Sequence, residues 1–263
     1  MSATGPGREG KGAGARENDW SRRIGEALKG DLFVLHAQRI VDVASGEALR
    51  HELFLRMVDE EGLIPAAEFV LAAEELGSIR EIDHWVVGRA IEIAASGHPV
   101  AVNLSVRSAD DELLELIRRR TGETGVAPEE IVLELAERQL RRGLASGEFV
   151  RGVHELGCRI ALDGFVQGGR GAVLLKELPI DYVKLGGRFV SGLADGRRRR
   201  KARNATAKAH ASGQRVVAQG VEDLVTLQQL QDLAIDEAQG YALGRPEPVE
   251  SLTNGGTELT VPF

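Results

Sequence analysis

Aromatic side chains are scarce in this chain, where Phe, Trp and Tyr together make up 4% of 263 residues. Its core must then be filled by Ala, Val, Leu and Ile, the usual material of stacked strands and helices, which favours an alternating α/β class over an aromatic-rich sandwich. Cysteine is nearly absent as well. The single Cys158 excludes a disulfide framework. It lies in "HELGCRIAL", between a helical and a strand-like pattern, and reads as a small buried core residue in a reducing compartment. No apolar run approaches the roughly eighteen residues of a membrane-spanning helix. The first residues are rich in Gly and charge with no hydrophobic segment, so neither a span nor a secretory signal is expected, and the chain reads as cytoplasmic. The six histidines include no H-x-x-x-H pair, which leaves zinc chemistry unsupported. Neither a G-x-S-x-G elbow nor a G-K-[ST] phosphate loop occurs, so serine hydrolase and P-loop readings have no foothold. A net charge of -7 with a pI near 5.5 argues against wholesale binding to nucleic acid, whose phosphates call for a concentrated basic surface. A local basic patch is compatible with it.

What is present is a repeat of short apolar runs, each followed by ten or more residues at helical spacing. Residues 1–17 have the composition of a disordered tail. Their "GPGREG" matches a dinucleotide fingerprint without the strand and helix that would make the glycines useful. A barrel domain is expected over 18–250 and a C-terminal tail over 251–263. Eight strand candidates follow one another: "LFVLHAQRIV", "HELFLRM", "PVAVNLS", "EIVLELAE", "RIALDGF", "YVKLGG", "RVVAQG" and "IDEAQGY". Between them "PAAEFVLAAEELG" predicts a helix that opens at Pro65 and closes at Gly77, and Ile82, Val86, Ala90 and Ile93 form one stripe of the next. Eight such units suggest a TIM-like (β/α)8 barrel, whose reactive groups gather at the C-terminal strand ends. The alternative is an open doubly wound sheet.

Polar residues decide what the strands are for. Glu52, Asn103, Glu134, Asp163, Lys184, Gln219 and Gln239 each lie in or just behind a different apolar run, where burial is costly unless they are paired or bound. Together they read as one convergent site. Glu52, Asn103, Glu134 and Asp163 offer three carboxylates and an amide oxygen, the hard ligands preferred by one Mg²⁺, Mn²⁺ or Ca²⁺.

These residues also carry a resemblance. "HELFLRM", with Glu52 and Arg56, resembles the signature of the EAL-domain family of cyclic di-GMP phosphodiesterases. In order, "AQRIV" resembles the family's Q-P-I-V, "VNLS" its N-x-S, "LELAE" its E-x-T-E and "LDGF" its D-D-F-G. "YVKLGGRF" resembles K-I-D-x-x-F, "VVAQGVE" resembles A-E-G-V-E, and "QGYALGRPEP" the closing Q-G-Y segment. The match spans residues 31–248. It implies a TIM-like barrel of the EAL type with one antiparallel strand, binding cyclic di-GMP across the strand ends. Active members use two metal ions to ready a water for attack on a phosphodiester. By motif position the first metal falls to Glu52, Asn103, Glu134 and Asp163, and the ligand to Gln38, Glu52, Arg56, Asp163, Lys184, Glu222 and Gln239.

The departures from the pattern fall on the hydrolytic machinery, where Lys184 is retained. Gly164 stands in place of the aspartate that holds the second metal, and Gln219 in place of the glutamate that works on the metal-bound water. Gly186 replaces the aspartate of K-I-D, and "VQGGRG" replaces G-T-G-Y-S-S. A second metal is therefore not expected. Arg39 stands at the family's proline, which puts the backbone path beside Gln38 in question, and Phe54 stands at its leucine. The resemblance then implies a degenerate member: a cyclic di-GMP receptor or protein-interaction module with hydrolysis lost or very weak. The alternatives are an interaction domain with an empty site, or a residual metal-dependent phosphodiesterase. The expected partners are an unidentified protein and a second copy of the chain, docked through the helix after Asp163. The basic run at 197–201 reads as a solvated face, with docking of an acidic protein or nucleic acid as the minority reading.

Overall fold

The computed structural model describes residues 13–60, 62–140, 147–165 and 169–253. Most of the tails expected over 1–17 and 251–263 lies outside these. Ten strands form one sheet: β1 Phe33–Asp42, β2 Ala48–Asp59, β3 Gly62–Pro65, β4 Val100–Leu104, β5 Ile131–Ala136, β6 Arg159–Asp163, β7 Tyr182–Leu185, β8 Arg215–Gln219, β9 Glu237–Gln239 and β10 Glu247–Pro248. The helices are α1 Ala13–Gly30, α2 Ala66–Leu76, α3 Ile79–Ala95, α4 Asp111–Thr124, α5 Glu137–Leu140, α6 Gly147–Glu155, α7 Gly169–Glu177, α8 Gly187–Val190, α9 Gly196–Ala211, α10 Leu224–Gln231 and α11 Glu250–Thr253.

Strands β2, β4, β5, β6, β7, β8 and β9 run parallel in that order, and β1 closes the ring by pairing antiparallel with both β2 and β9. The result is an eight-stranded barrel with one reversed strand, as expected, rather than an open sheet. The reversal has a local cause. After β1 the Asp42 carboxylate accepts from the backbone N–H groups of Ala44 and Ser45 at 2.9 Å each, and Gly46 takes a left-handed φ of 76°. That turn sends the chain straight back as β2 without a crossover helix. The parallel strands that follow are near-continuous apolar runs because helices cover their outer faces. The helix signals hold too: α2 begins after Pro65 and ends at Gly77 with φ 79°, and Ile82, Val86, Ala90 and Ile93 of α3 are all buried. Short β3 and β10 extend the sheet beyond the eight runs legible in the sequence.

Most of the core lies between strands and helices, where Phe69 sits fully buried between the rings of Trp20 and Phe33. The barrel's own interior holds a small apolar plug of Ile40, Ala101, Val132, Ala161 and Val217. Below the plug, Arg50 pairs with Glu237 and lies 4.2 Å over the Tyr182 ring. Above it, side chains from the strand ends form a polar layer, which is the site described next.

One glycine sets how closely two strand ends approach. A Cβ on Gly240, just after β9, would stand 2.1 Å from the Val221 carbonyl oxygen, between the hydrogen bonds Val221 N to Gln239 O and Ala242 N to Val221 O at 3.0 Å each. Gly240→Ala should therefore lower unfolding free energy by more than about 2 kcal/mol. Urea denaturation measures this, and parental stability would contradict the close approach.

Candidate functional site

Alternation along β2 places Glu52, Phe54 and Arg56 on one face, with Glu52 turned into the top of the barrel. Lys184 reaches the same point from β7, its side chain 1% exposed. The Lys184 Nζ donates to Glu52 Oε2 at 2.7 Å and to Glu134 Oε1 and Oε2 at 2.7 and 2.5 Å. Asn103 Nδ2 donates to the other oxygen of Glu52 at 2.7 Å. The structure thus brings together Glu52, Asn103, Glu134 and Lys184 from four strands. Asp163, at the end of β6, lies close enough for its charge to act on both Glu134 and Lys184.

This layer has more negative than positive charge in a dry place. Burial and the Glu52 charge push the Glu134 carboxyl up to about 8, despite the opposing pull of Lys184. Burial works against the Lys184 ammonium, but Glu134, Glu52 and Asp163 outweigh it and hold its pKa above the ordinary lysine value. Asp163 Oδ1 is buried with no hydrogen-bond partner among the described residues. An orphaned carboxylate oxygen beside two buried carboxylates is a fit for a hard divalent cation, which Glu52, Asn103, Glu134 and Asp163 would hold. A different group, His84, Asp110 and Glu112, has ligand atoms within 4.8 Å of one another. Arg80 already bridges its two carboxylates at 2.6 and 2.9 Å, so it is neutralised.

The other side of the layer is hollow. Gly164 follows Asp163 with a left-handed φ of 68°, and a Cβ added there, or at Gly186, would meet nothing within 4 Å. Neither position supplies a side-chain oxygen. Residues 166–168 of the "VQGGRG" segment lie outside the described residues.

Beside Glu52 opens a cavity of about 320 Å³ lined by Gln38, Phe54, Gln219, Glu222, Gln239 and Tyr241, with Gly220 and Gly240 in its wall. Gln239 Nε2 donates to Gln38 Oε1 at 3.1 Å, and Gln38 Nε2 donates to the Gly244 carbonyl at 2.7 Å. Arg56 stands two residues beyond Phe54, half-buried, with its Nε lacking a partner among the described residues. Arg39 leaves the path beside Gln38 intact: β1 pairs through Gln38↔Glu52 and Arg39↔His51 without a break. Its side chain packs by Gly244 and lines a separate small pocket with His51 and Arg245.

Two features lay beyond sequence reasoning. Tyr241, 57% exposed and stacked under the Arg245 guanidinium at 4.5 Å, forms part of the cavity wall. A buried brace also ties the loops behind Asn103 and Glu134. Asp83 Oδ2 accepts from Ser105 N at 3.1 Å, Ser105 Oγ donates to Glu74 Oε1 at 2.7 Å, and Gln139 Nε2 donates to the same oxygen at 3.3 Å. The run "AAEELGSIREIDHW" contains both acids, and two carboxylates on the apolar side of helices were the available signal.

Residues 21–246 match the EAL domain family. The chain belongs to that family. As an EAL domain it is 32% identical over 243 residues to the cyclic di-GMP phosphodiesterase PdeB of Shewanella oneidensis, a match covering 88% of this chain and 28% of PdeB. The chain spans about three-tenths of the length of such curated relatives. Among solved structures, the PaMucR phosphodiesterase in complex with c-di-GMP superposes with a TM-score of 0.82 at 28% identity, covering 89% of this chain and 99% of that one. The Xanthomonas citri FimX EAL domain in complex with c-diGMP gives 0.82 at 26% identity, covering 89% and 96%. Phosphodiesterases of the family depend on divalent metal. No helix among the described residues is long and apolar enough to cross a membrane.

Removing the ammonium tests the polar layer. Lys184→Met leaves Glu52 and Glu134 facing each other, which should cost about 3–5 kcal/mol at pH 8, and Mn²⁺ should return most of it. Unfolding with and without Mn²⁺ reads this; a variant as stable as its parent and indifferent to Mn²⁺ would refute the assignment.

The brace makes a pH prediction. Burial raises the Asp83 carboxyl from its ordinary value to about 7. A carboxyl raised on folding binds more protons in the native state, so its contribution to stability declines as pH rises from about 4 to about 7. Asp83→Asn, which cannot ionise, should gain on the parent in Tm between pH 5 and pH 8. A Tm difference independent of pH would refute the buried titration.

Proposed function

We propose that this EAL domain acts as a cyclic di-GMP receptor or protein-interaction module in second-messenger signalling, with hydrolysis lost or very weak. The observation that carries the reading is the hollow at Gly164. Where the family pattern has a second aspartate, this chain offers open space and no side-chain oxygen. Gln219 compounds the loss, because an amide cannot take a proton from water at ordinary pH. A site with oxygens for one cation lacks the second half of a two-metal clamp on the attacking and leaving oxygens.

The binding side is better furnished. Glu52, Asn103, Glu134 and Asp163 suit one Mg²⁺, Mn²⁺ or Ca²⁺, and Gln38, Gln239 and Glu222 line a cavity beside them. Arg56 is the cation for phosphate, its unpartnered Nε a donor suited to an anion, while Lys184, its three N–H donors taken by Glu52 and Glu134, supports the ligand side from within the layer. The cyclic di-GMP held by PaMucR and by FimX in the same fold supports the choice of ligand. Val173 on α7, 43% exposed, supports a homodimer through the helix after Asp163.

A second reading, a domain with an empty site, is favoured by one observation. The Gln38 amide is already satisfied at both ends, by Gly244 and Gln239, and Phe54 narrows the cavity.

Calorimetric titration with cyclic di-GMP, with and without Mn²⁺, separates the two. The receptor reading expects micromolar or tighter binding, with linear product at least about 100-fold slower than from an intact family member. Restoring oxygens in Gly164→Asp/Gln219→Glu should raise product formation at least about tenfold. Absence of heat favours the empty domain, and turnover comparable to an active member sinks both.

A further inference from the structure

The basic helix α9 lies outside everything argued for the nucleotide site. Its sequence, GRRRRKARNATAKAHA, carries seven Lys and Arg and no carboxylate, in a chain whose net charge is -7. The structure sorts these residues cleanly. Ala202, Ala205, Thr206 and Ala209 are buried against the barrel. Arg197, Arg198, Arg200, Lys201, Arg203 and Lys208 are exposed, and none of these six has an ion-pair partner among the described residues. Arg199, paired with Asp232 at 2.8 Å, is the exception.

The placement works against the helix itself. Three arginines, Arg197, Arg198 and Arg199, fill the first turn behind Gly196, where the backbone dipole favours anions, and Arg200 follows them; they repel one another. Against them stand the Asp195 cap, accepting from Arg197 N and Arg198 N at 2.9 Å, and the Asp232 partner of Arg199. A sequence under selection for stability alone would put acids there, so the cations answer to something outside the chain.

The face also limits its partner. Its remaining exposed positions include Asn204 and Ala207, with no large apolar side chain among them. Protein interfaces draw their energy from aromatic and arginine anchors in desolvated pockets, whereas these cations stand on an open helix face with no aromatic among them, and a helix lying in a bilayer needs an apolar face; here the apolar stripe is spent on the barrel. What remains is phosphate chemistry, mainly of guanidinium groups, over about 16 Å of helix. A helix fixed along one side cannot enter the deep, narrow groove of duplex RNA, but the wide major groove of B-form DNA admits one. We propose that α9 is a docking face for the phosphate backbone of double-stranded DNA, bound without regard to sequence. This refines the expectation drawn from net charge, which concerned the whole surface, and it stands whether or not the site above binds a nucleotide.

The test is fluorescence anisotropy of the full chain with a labelled 20-base-pair DNA duplex at 50 to 200 mM salt. With about five phosphate contacts the slope of log K against log salt should be about -4.5, so affinity falls several-hundred-fold across that range. Arg197→Glu/Arg200→Glu/Arg203→Glu should abolish binding without lowering Tm, because all three side chains are exposed and the change relieves the repulsion among neighbouring cations. The same positions changed to Lys should keep binding within about tenfold, which guards against misfolding as the cause. Arg118→Glu/Arg119→Glu on α4 should change nothing. Absence of binding at 50 mM salt, retention of binding by the triple Glu variant, or equal or tighter binding to duplex RNA, polyglutamate or anionic vesicles would each overturn the proposal.

Discussion

The Lys184 ammonium, held between the carboxylates of Glu52 and Glu134, is the contact on which the upper half of the barrel depends. It joins β2, β5 and β7 across the interior, above an apolar plug of five residues, Ile40, Ala101, Val132, Ala161 and Val217. Such a strut is not the cheapest way to fill a barrel. Charges taken out of water lose several kcal/mol each, and well-packed apolar residues of similar volume often serve stability as well or better. The layer is therefore better explained by what it can hold. Three carboxylates around one ammonium leave negative charge in excess, expressed as the raised Glu134 pKa and the unpartnered Asp163 oxygen.

From that strut the site divides into a built side and a hollow one. On the built side, Asn103 fixes one oxygen of Glu52, and the Asp83, Ser105, Glu74 and Gln139 brace holds the loops behind Asn103 and Glu134. Rigid support of this kind is what a binding site needs to keep its groups in place. On the hollow side, Gly164 and Gly186 contribute backbone alone and Gln219 an amide. The barrel carries these residues at the ends of β6, β7 and β8, where they add no carboxylate to the layer. The left-handed φ of Gly164 is one that aspartate tolerates better than most residues, so the hollow is a matter of sequence rather than of backbone shape.

The fold was largely legible because it rests on local periodicity. Each apolar run became a barrel strand, the Pro65 and Gly77 signals bounded α2, and polar residues at the ends of apolar runs converged as burial cost requires. β3 and β10 were missed because four- and two-residue strands carry no period. Several contacts at the site were illegible for a different reason. The Lys184 to Glu52 bond spans 132 positions and the Gln239 to Gln38 bond 201, and no spacing rule links residues so far apart. Arg39 illustrates the same limit: the residue at the family's proline keeps the pairing of β1 with β2 through Arg39↔His51 and Ile40↔Arg50, and the register shifts only beyond it, between Ile40 and Val41.

The most direct test of the account is a crystal of the domain soaked with Mn²⁺ and cyclic di-GMP, with anomalous scattering used to count ions. One manganese peak among Glu52, Asn103, Glu134 and Asp163, with none over Gly164, is the predicted result. Two peaks bridged by a shared oxygen beneath the phosphate would contradict it.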